Sequence, residues 1–211
     1  MSPAFDARSL LDAQGWLGRG RVDLLGLPAG TRLHRVCRPG AAPLEPAPPA
    51  WRDGRLDPPA GHKERYGVLY TGSSRLGVCI EARRLVQARD SDRLQVSDPL
   101  PPGRLCTLAA RKSLLLVYLD TLNNAQLFRC PDSQRSHYAH WQRVSLRIWT
   151  LLQRHPHRFG PVAGIAYRSF HRNSPCLNVA VFEPARAALQ LVGRPRSLTP
   201  ALLQQVLAEE G

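Results

Sequence analysis

Three polar residues stand where the surrounding pattern calls for apolar ones. Arg35 lies inside the strand-like stretch Leu33–Cys37, Glu81 follows Val78-Cys79-Ile80, and Ser169 comes just after the apolar stretch Val162–Tyr167. A buried charge is costly unless it is paired or used, so a guanidinium, a carboxylate and a hydroxyl in such places are candidates for chemistry. Taken one at a time, each reads more readily as a surface or structural residue than as a functional one.

Other chemistries find little support. There is no His-Glu-x-x-His zinc motif, no phosphate-binding Gly-x-x-x-x-Gly-Lys loop and no Gly-x-Ser-x-Gly elbow. Gly15, Gly18 and Gly20 follow no strand with dinucleotide-fold spacing. His137 and His140 have the three-residue spacing of some metal ligands, but no third ligand is evident, so no metal is expected. Five cysteines without a Cys-x-x-Cys pair make a poor disulfide framework and suit reduced, buried thiols.

The net charge of +13 admits a polyanion-binding surface. The basic residues are almost all Arg, with Lys only at Lys63 and Lys112, and they are scattered rather than clustered. That argues against a nucleic-acid-binding module, which would group cations with exposed aromatics on one face. No apolar run is long enough to span a bilayer and no secretory leader is visible, so a soluble, cytoplasmic protein without membrane contact is expected.

The elements that must carry these residues follow from periodicity. Residues 1–30 read as a peripheral helical extension around Leu10, Leu11 and Trp16. Residues 32–37 read as a strand, and the proline-rich 38–66 as a long loop of the kind that often carries function. Residues 67–71 read as a buried strand, with Ser73 or Ser74 capping a helix over 74–88. Residues 89–103 read as loop, 105–109 and 114–119 as strands, and 136–154 as an amphipathic helix. Strands are expected at 162–167, 177–182 and 187–192, and a helix after Pro200. The mixture predicts an α+β fold, one domain of small mixed or antiparallel sheets with flanking helices.

Several short stretches, taken in order, carry a resemblance. They are His34-Arg35-Val36, Gly54-Arg55-Leu56-Asp57, Gly67-Val68-Leu69-Tyr70-Thr71-Gly72-Ser73-Ser74, Glu81, and Gly164-Ile165-Ala166-Tyr167-Arg168-Ser169 followed by Leu177–Phe182. In order and spacing they resemble the RES-domain family, named for an Arg, a Glu and a Ser. Arg35 or Arg55 matches the Arg, and Glu81 and Ser169 match the others. Leu56 stands where the family usually has an aromatic, and the loop before Arg55 is unusually long. The resemblance divides the chain into an extension (1–30), a RES domain (31–192) and a C-terminal helix packed on it (193–211).

The resemblance implies an ADP-ribosyltransferase-like fold and NAD+ as a consumed substrate rather than a recycled cofactor. It implies a toxin that cleaves the nicotinamide–ribose bond with phosphate or water as acceptor, or alternatively an ADP-ribosyltransferase acting on a protein. Beside these stand two lower readings from other classes, the basic nucleic-acid-binding module and a non-catalytic interaction domain. The implied partner is an antitoxin, often with a helix-turn-helix domain, so that contact with nucleic acid is indirect. In this reading Glu81 stabilises the cationic transition state, and Arg35 and Arg55 hold the pyrophosphate. Tyr70 stacks on nicotinamide, and Ser73 and Ser169 bond the substrate, Ser169 with a catalytic role alongside Glu81 and Arg35.

Overall fold

The computed structural model describes residues 22–88, 91–131, 137–169 and 176–211. The chain order is β1 (Leu24–Leu27), β2 (Arg32–Cys37), β3 (Val68–Gly72), α1 (Arg75–Glu81), β4 (Leu85–Gln87), β5 (Leu94–Val96), β6 (Arg104–Ala110), β7 (Leu114–Tyr118), α2 (Leu122–Phe128), α3 (Tyr138–Arg154), α4 (Pro156–Phe159), β8 (Val162–Arg168), β9 (Leu177–Phe182), β10 (Leu189–Ser197) and α5 (Pro200–Glu210). Eight strands form one sheet in the order β1-β7-β8-β9-β3-β2-β6-β10, while β4 and β5 pair separately. Among the described residues only β7 and β8 run parallel in the large sheet, and their connection carries α2, α3 and α4. This is an α+β domain built on a mixed sheet.

Alternation along the strands sorts the core into two faces. Leu25, Leu33, Leu69, Leu108, Leu116, Val181 and Leu189, from seven different strands, pack into one cluster to which none of the α-helices contributes. The sheet must therefore bend so that this face packs on itself. The other face, with Val68, Val117, Ile165, Ala180 and Phe182, receives α3. Trp141, Val144, Ile148 and Leu152 recur there at helical spacing and are buried. A register shift between Leu115 and Leu116 puts one extra residue into β8, so Ala163 and Ala166 share a face despite their odd spacing. Gly164 sits at that point, and a Cβ there would meet the Ala180 carbonyl oxygen at 2.1 Å.

A third cluster joins α1 to α5, with Leu76, Cys79, Leu202, Leu203 and Val206. Thr199 Oγ1 caps α5 by accepting from Leu202 N–H at 3.2 Å. Arg75 bonds Glu209 and Glu210 at 2.6 Å each, and Glu210 also accepts from Leu76 N–H at 3.0 Å.

Several elements differ from the sequence reading. The helix expected over 74–88 stops at Glu81, and the expected loop 89–103 contains β5. The cause is a Schellman turn without glycine. Arg83 adopts φ 54°, Arg83 N–H bonds Ile80 O at 2.9 Å, and Arg84 N–H bonds Cys79 O at 2.8 Å. Helix α2 was not foreseen and ends the same way, with Arg129 at φ 53°. The short helix α4 fills the gap between the expected helix 136–154 and the expected strand 162–167, while β1 falls inside the expected extension. The helix expected around Leu10, Leu11 and Trp16 lies outside the described residues.

Candidate functional site

Glu81 is the last residue of α1, and the packing of that short helix decides where its carboxylate goes. Ser74 Oγ caps the helix by accepting from Gly77 N–H at 2.9 Å. Gly77 lies so close to Cys176, the residue before β9, that a Cβ would meet Cys176 Cβ at 2.2 Å. The helix end is thereby pressed onto the strands, and Glu81 Oε1 accepts two hydrogen bonds there. One comes from Ser169 Oγ at 2.7 Å and the other from Asn178 Nδ2 at 2.9 Å. Ser169 is held where β8 ends, by its N–H to the Cys176 carbonyl at 2.8 Å. Residues roughly ninety positions apart in sequence converge on one oxygen.

Glu81 and Asn178 face a cleft of about 210 Å³ whose lining also includes Val36, Arg55, Tyr70, Thr71, Tyr138 and Tyr167. Arg55 stands with its guanidinium 5.2 Å from the centre of the Tyr138 ring, a cation–π contact. The turn bearing Arg55 is tied from both sides. Leu56 N–H donates to Tyr70 Oη at 2.7 Å and Leu56 O accepts from Ser145 Oγ at 2.7 Å, while Gly54 O accepts from Gln142 Nε2 at 3.1 Å. A Cβ on Gly54 would meet Tyr70 Oη at 2.7 Å and Asp57 Oδ2 at 2.9 Å, so glycine is required there. Leu56 itself is buried in the α3-facing core, filling the place expected of an aromatic.

The long loop preceding this turn is organised by buried Arg52. Its guanidinium donates to the carbonyls of Ala47, Lys63 and Tyr66 at 2.9, 2.7 and 2.9 Å and meets Glu183 at 3.4 Å. Four acceptors around one planar cation give the proline-rich segment its shape without regular ladders.

Burial shapes the electrostatics of the wall. It pushes the Asp57 carboxyl above the usual carboxylate range, against the Gly54 N–H bond and the nearby Arg52 charge. Burial also raises the Tyr70 hydroxyl, with the Asp57 charge adding to it, and the Tyr167 hydroxyl, with the Glu81 charge adding to it. Both phenols therefore remain neutral near pH 7.

The site residues named from sequence separate into two groups. Glu81, Arg55 and Tyr70 line the cleft, and Ser169 stands behind Glu81 as its hydrogen-bond donor. Arg35 is not. Its neighbour Val36 lines the cleft, so alternation along β2 turns Arg35 to the opposite face, where it donates to Pro43 O at 3.3 Å and Glu45 O at 2.9 Å. Ser73 is also occupied elsewhere. Its Oγ accepts from Leu177 N–H at 2.9 Å and its N–H donates to Leu177 O at 3.0 Å, extending the β3–β9 pairing. Asn178 was missed by the sequence reading. The only available signal was a polar residue on the inner half of an alternating strand, where it is 4% exposed. Among the described residues no three His, Cys, Asp or Glu side chains are grouped to hold a metal ion, and no helix is long and apolar enough to cross a membrane.

A family model described as RES domain matches residues 32–201, which span all of these groups. The chain belongs to the RES-domain family. RES domains are known in general for NAD-related activity. No curated protein matches the chain.

Proposed function

We propose that this RES domain consumes NAD+ by cleaving its nicotinamide–ribose bond, with phosphate or water as acceptor. The observation that carries the reading is the Glu81 carboxylate, fixed by Ser169 and Asn178 at a cleft that also presents Arg55. Nicotinamide departs as a neutral molecule from a cationic ring, so its departure needs no general acid. The transition state resembles a ribosyl oxocarbenium ion, comparable to that of glycoside hydrolysis. A held carboxylate stabilises that charge, and its second role is to accept ribose hydroxyls. Arg55 suits the pyrophosphate, since a guanidinium donates in pairs to phosphate oxygens. Tyr70 supplies a neutral aromatic wall for the nicotinamide ring. A cleft of about 210 Å³ is below the range of about 300–1,000 Å³ common for drug-sized ligands, and it suits one end of the dinucleotide.

In this reading the protein is a toxin, and its partner is an antitoxin that covers the cleft. The charge of +13 favours an acidic partner face through electrostatic steering. The deciding experiment incubates the purified protein with NAD+, with and without phosphate, and identifies the products. Free nicotinamide with ADP-ribose or its phosphorylated form supports the proposal. Labelled ADP-ribose appearing only on a protein moves the assignment to transfer, and unchanged NAD+ removes it.

A further inference from the structure

Arg55 reaches the cleft from a turn rather than from a helix or strand, so its position depends on what holds that turn. The turn closes on itself through Asp57, whose Oδ2 accepts from Gly54 N–H at 2.7 Å and whose N–H donates to Gly54 O at 3.2 Å. Most of the remaining hold comes from one helix. On α3, Tyr138, Gln142 and Ser145 stand at i, i+4 and i+7, which places them along a single stripe. Their partners are three consecutive residues of the turn. Gln142 Nε2 donates to Gly54 O at 3.1 Å, the Tyr138 ring lies 5.2 Å from the Arg55 guanidinium, and Ser145 Oγ donates to Leu56 O at 2.7 Å.

The backbone on each side of Arg55 is therefore clamped. Gln142 holds the carbonyl before it, and Tyr70 Oη accepts the N–H after it at 2.7 Å. Ser145 is fully buried and accepts from Tyr66 Oη at 3.0 Å, so the inner end of the stripe is fixed in turn. Tyr138 forms the outer end and is 48% exposed. An arginine side chain has many rotamers, and ordering them on a ligand weakens binding. With the backbone clamped and the guanidinium resting on a ring, much of that ordering is complete before the ligand arrives.

We propose that Tyr138, Gln142 and Ser145 are positioning residues that preorganise Arg55 for the anionic part of the substrate, so that α3 tunes affinity whereas Glu81 governs rate. The proposal rests on the NAD+ reading given above. A pyrophosphate is charged in the ground state and in the transition state alike, so Arg55 contributes binding that is the same in both. Loosening its hold raises KM and leaves kcat in place. A general loss of structure acts differently, because a smaller folded fraction lowers the apparent kcat at unchanged KM.

The test measures kcat and KM for NAD+ on the full chain, with circular dichroism as the check on folding. Gln142→Met keeps the length but loses the donor, and should raise KM about threefold to tenfold, as expected for one neutral hydrogen bond. Tyr138→Leu keeps an apolar side chain but loses the ring face, and should raise KM about threefold. In both, kcat should stay within about twofold of wild type. Each change is then combined with Arg55→Ala. With the guanidinium gone neither should raise KM further, since the stripe acts only through Arg55. A Tyr138→Leu effect that persists at full size beside Arg55→Ala means that the ring touches substrate itself, and overturns its positioning role. Unchanged KM in the folded single variants or in Arg55→Ala, or a fall in kcat alone, overturns the proposal while leaving NAD+ consumption standing. Wild-type protein that leaves NAD+ intact removes the NAD+ reading and the proposal with it. Tyr138 is half-exposed, so Tyr138→Leu carries the test should Gln142→Met fail to fold.

Discussion

The two ends of β8 open onto two hollows of opposite character. At the Val162 end lies a space of about 550 Å³ walled by Trp149, Phe159, Phe182 and several prolines, with Arg111 and Lys112 at the β6–β7 turn. At the Ser169 end lies the cleft of about 210 Å³ that contains Glu81. Among the described residues, no carboxylate lines the larger hollow. Between these two, size alone would choose the Val162 end. What distinguishes the smaller one is convergence, since α1, β9 and the residue that follows β8 each deliver one polar group to a single point. Such an arrangement has a cost in desolvation and in ordering side chains that an apolar hollow does not carry. Its retention in a buried wall is the physical argument for chemistry there.

The largest effect expected from this contrast follows Glu81→Gln. Gln keeps the size and much of the hydrogen bonding but removes the negative charge. The ground-state ribose has no full charge at its anomeric carbon, whereas the transition state does, so the rate should fall more than the affinity. A loss of about 10²–10³ in single-turnover NAD+ cleavage is expected, with binding largely kept. A folded variant with near wild-type turnover would sink the assignment of the cleft.

A sharper cut separates the two arginines that sequence alone left interchangeable. Arg55→Ala removes the cation at the cleft mouth and should weaken NAD+ binding by about 10-fold to 100-fold, the equivalent of about 1.5–3 kcal/mol for a charge-assisted contact. Arg35→Ala releases the carbonyls of Pro43 and Glu45, which lie at a partly exposed site, so it should cost about 1 kcal/mol of stability and leave binding alone. Titration calorimetry and denaturant unfolding on both variants read the two effects separately. The reverse pattern would place the pyrophosphate on the other face of β2.

The legible parts of this molecule are those that repeat with a period. The alternation of Leu177, Val179 and Val181 announced β9, and the recurrence through Trp141, Ile148 and Leu152 announced α3. Thr199-Pro200 marked the start of α5 through its cap. The ends of α1 and α2 were hidden because arginine, not glycine, occupies the left-handed position in both. β1 was hidden because four residues are too few to show a period. At the site, Glu81 and Ser169 were visible as polar interruptions of apolar runs. Which of Arg35 and Arg55 faces the cleft depended on how a proline-rich loop folds around Arg52, a tertiary fact with no local signature. The part played by Asn178 emerges only when β9 is set beside α1.

The turn that ends α1 offers a test of stability without chemistry. Arg83 in the left-handed region costs roughly 1–2 kcal/mol relative to ordinary backbone, and glycine removes that cost while gaining freedom in the unfolded chain. Arg83→Gly should therefore stabilise the domain by up to about 1 kcal/mol, read as a raised unfolding midpoint in urea. Its turnover should stay at the wild-type value, because Glu81 keeps its place in the helix. A lower midpoint would mean that the arginine side chain contributes more than its backbone costs.

The smallest effect is expected at the larger hollow, and it tests the comparison most directly. Arg111→Glu with Lys112→Glu reverses both cations at its rim without touching the buried walls. The two hollows are separated by the length of β8, from Val162 to Arg168, which at about 3.3 Å per residue is roughly 20 Å. Screening at physiological salt acts over about 8 Å, so these exposed charges should barely influence a ligand in the cleft. NAD+ turnover should stay within about twofold of wild type at 150 mM salt, with any residual difference growing as salt is lowered, the mark of long-range steering. A loss of tenfold or more that persists at high salt cannot come from steering. It would show that the apolar hollow, despite carrying no carboxylate, takes part in binding the dinucleotide, and the division between the two ends of the sheet would fail.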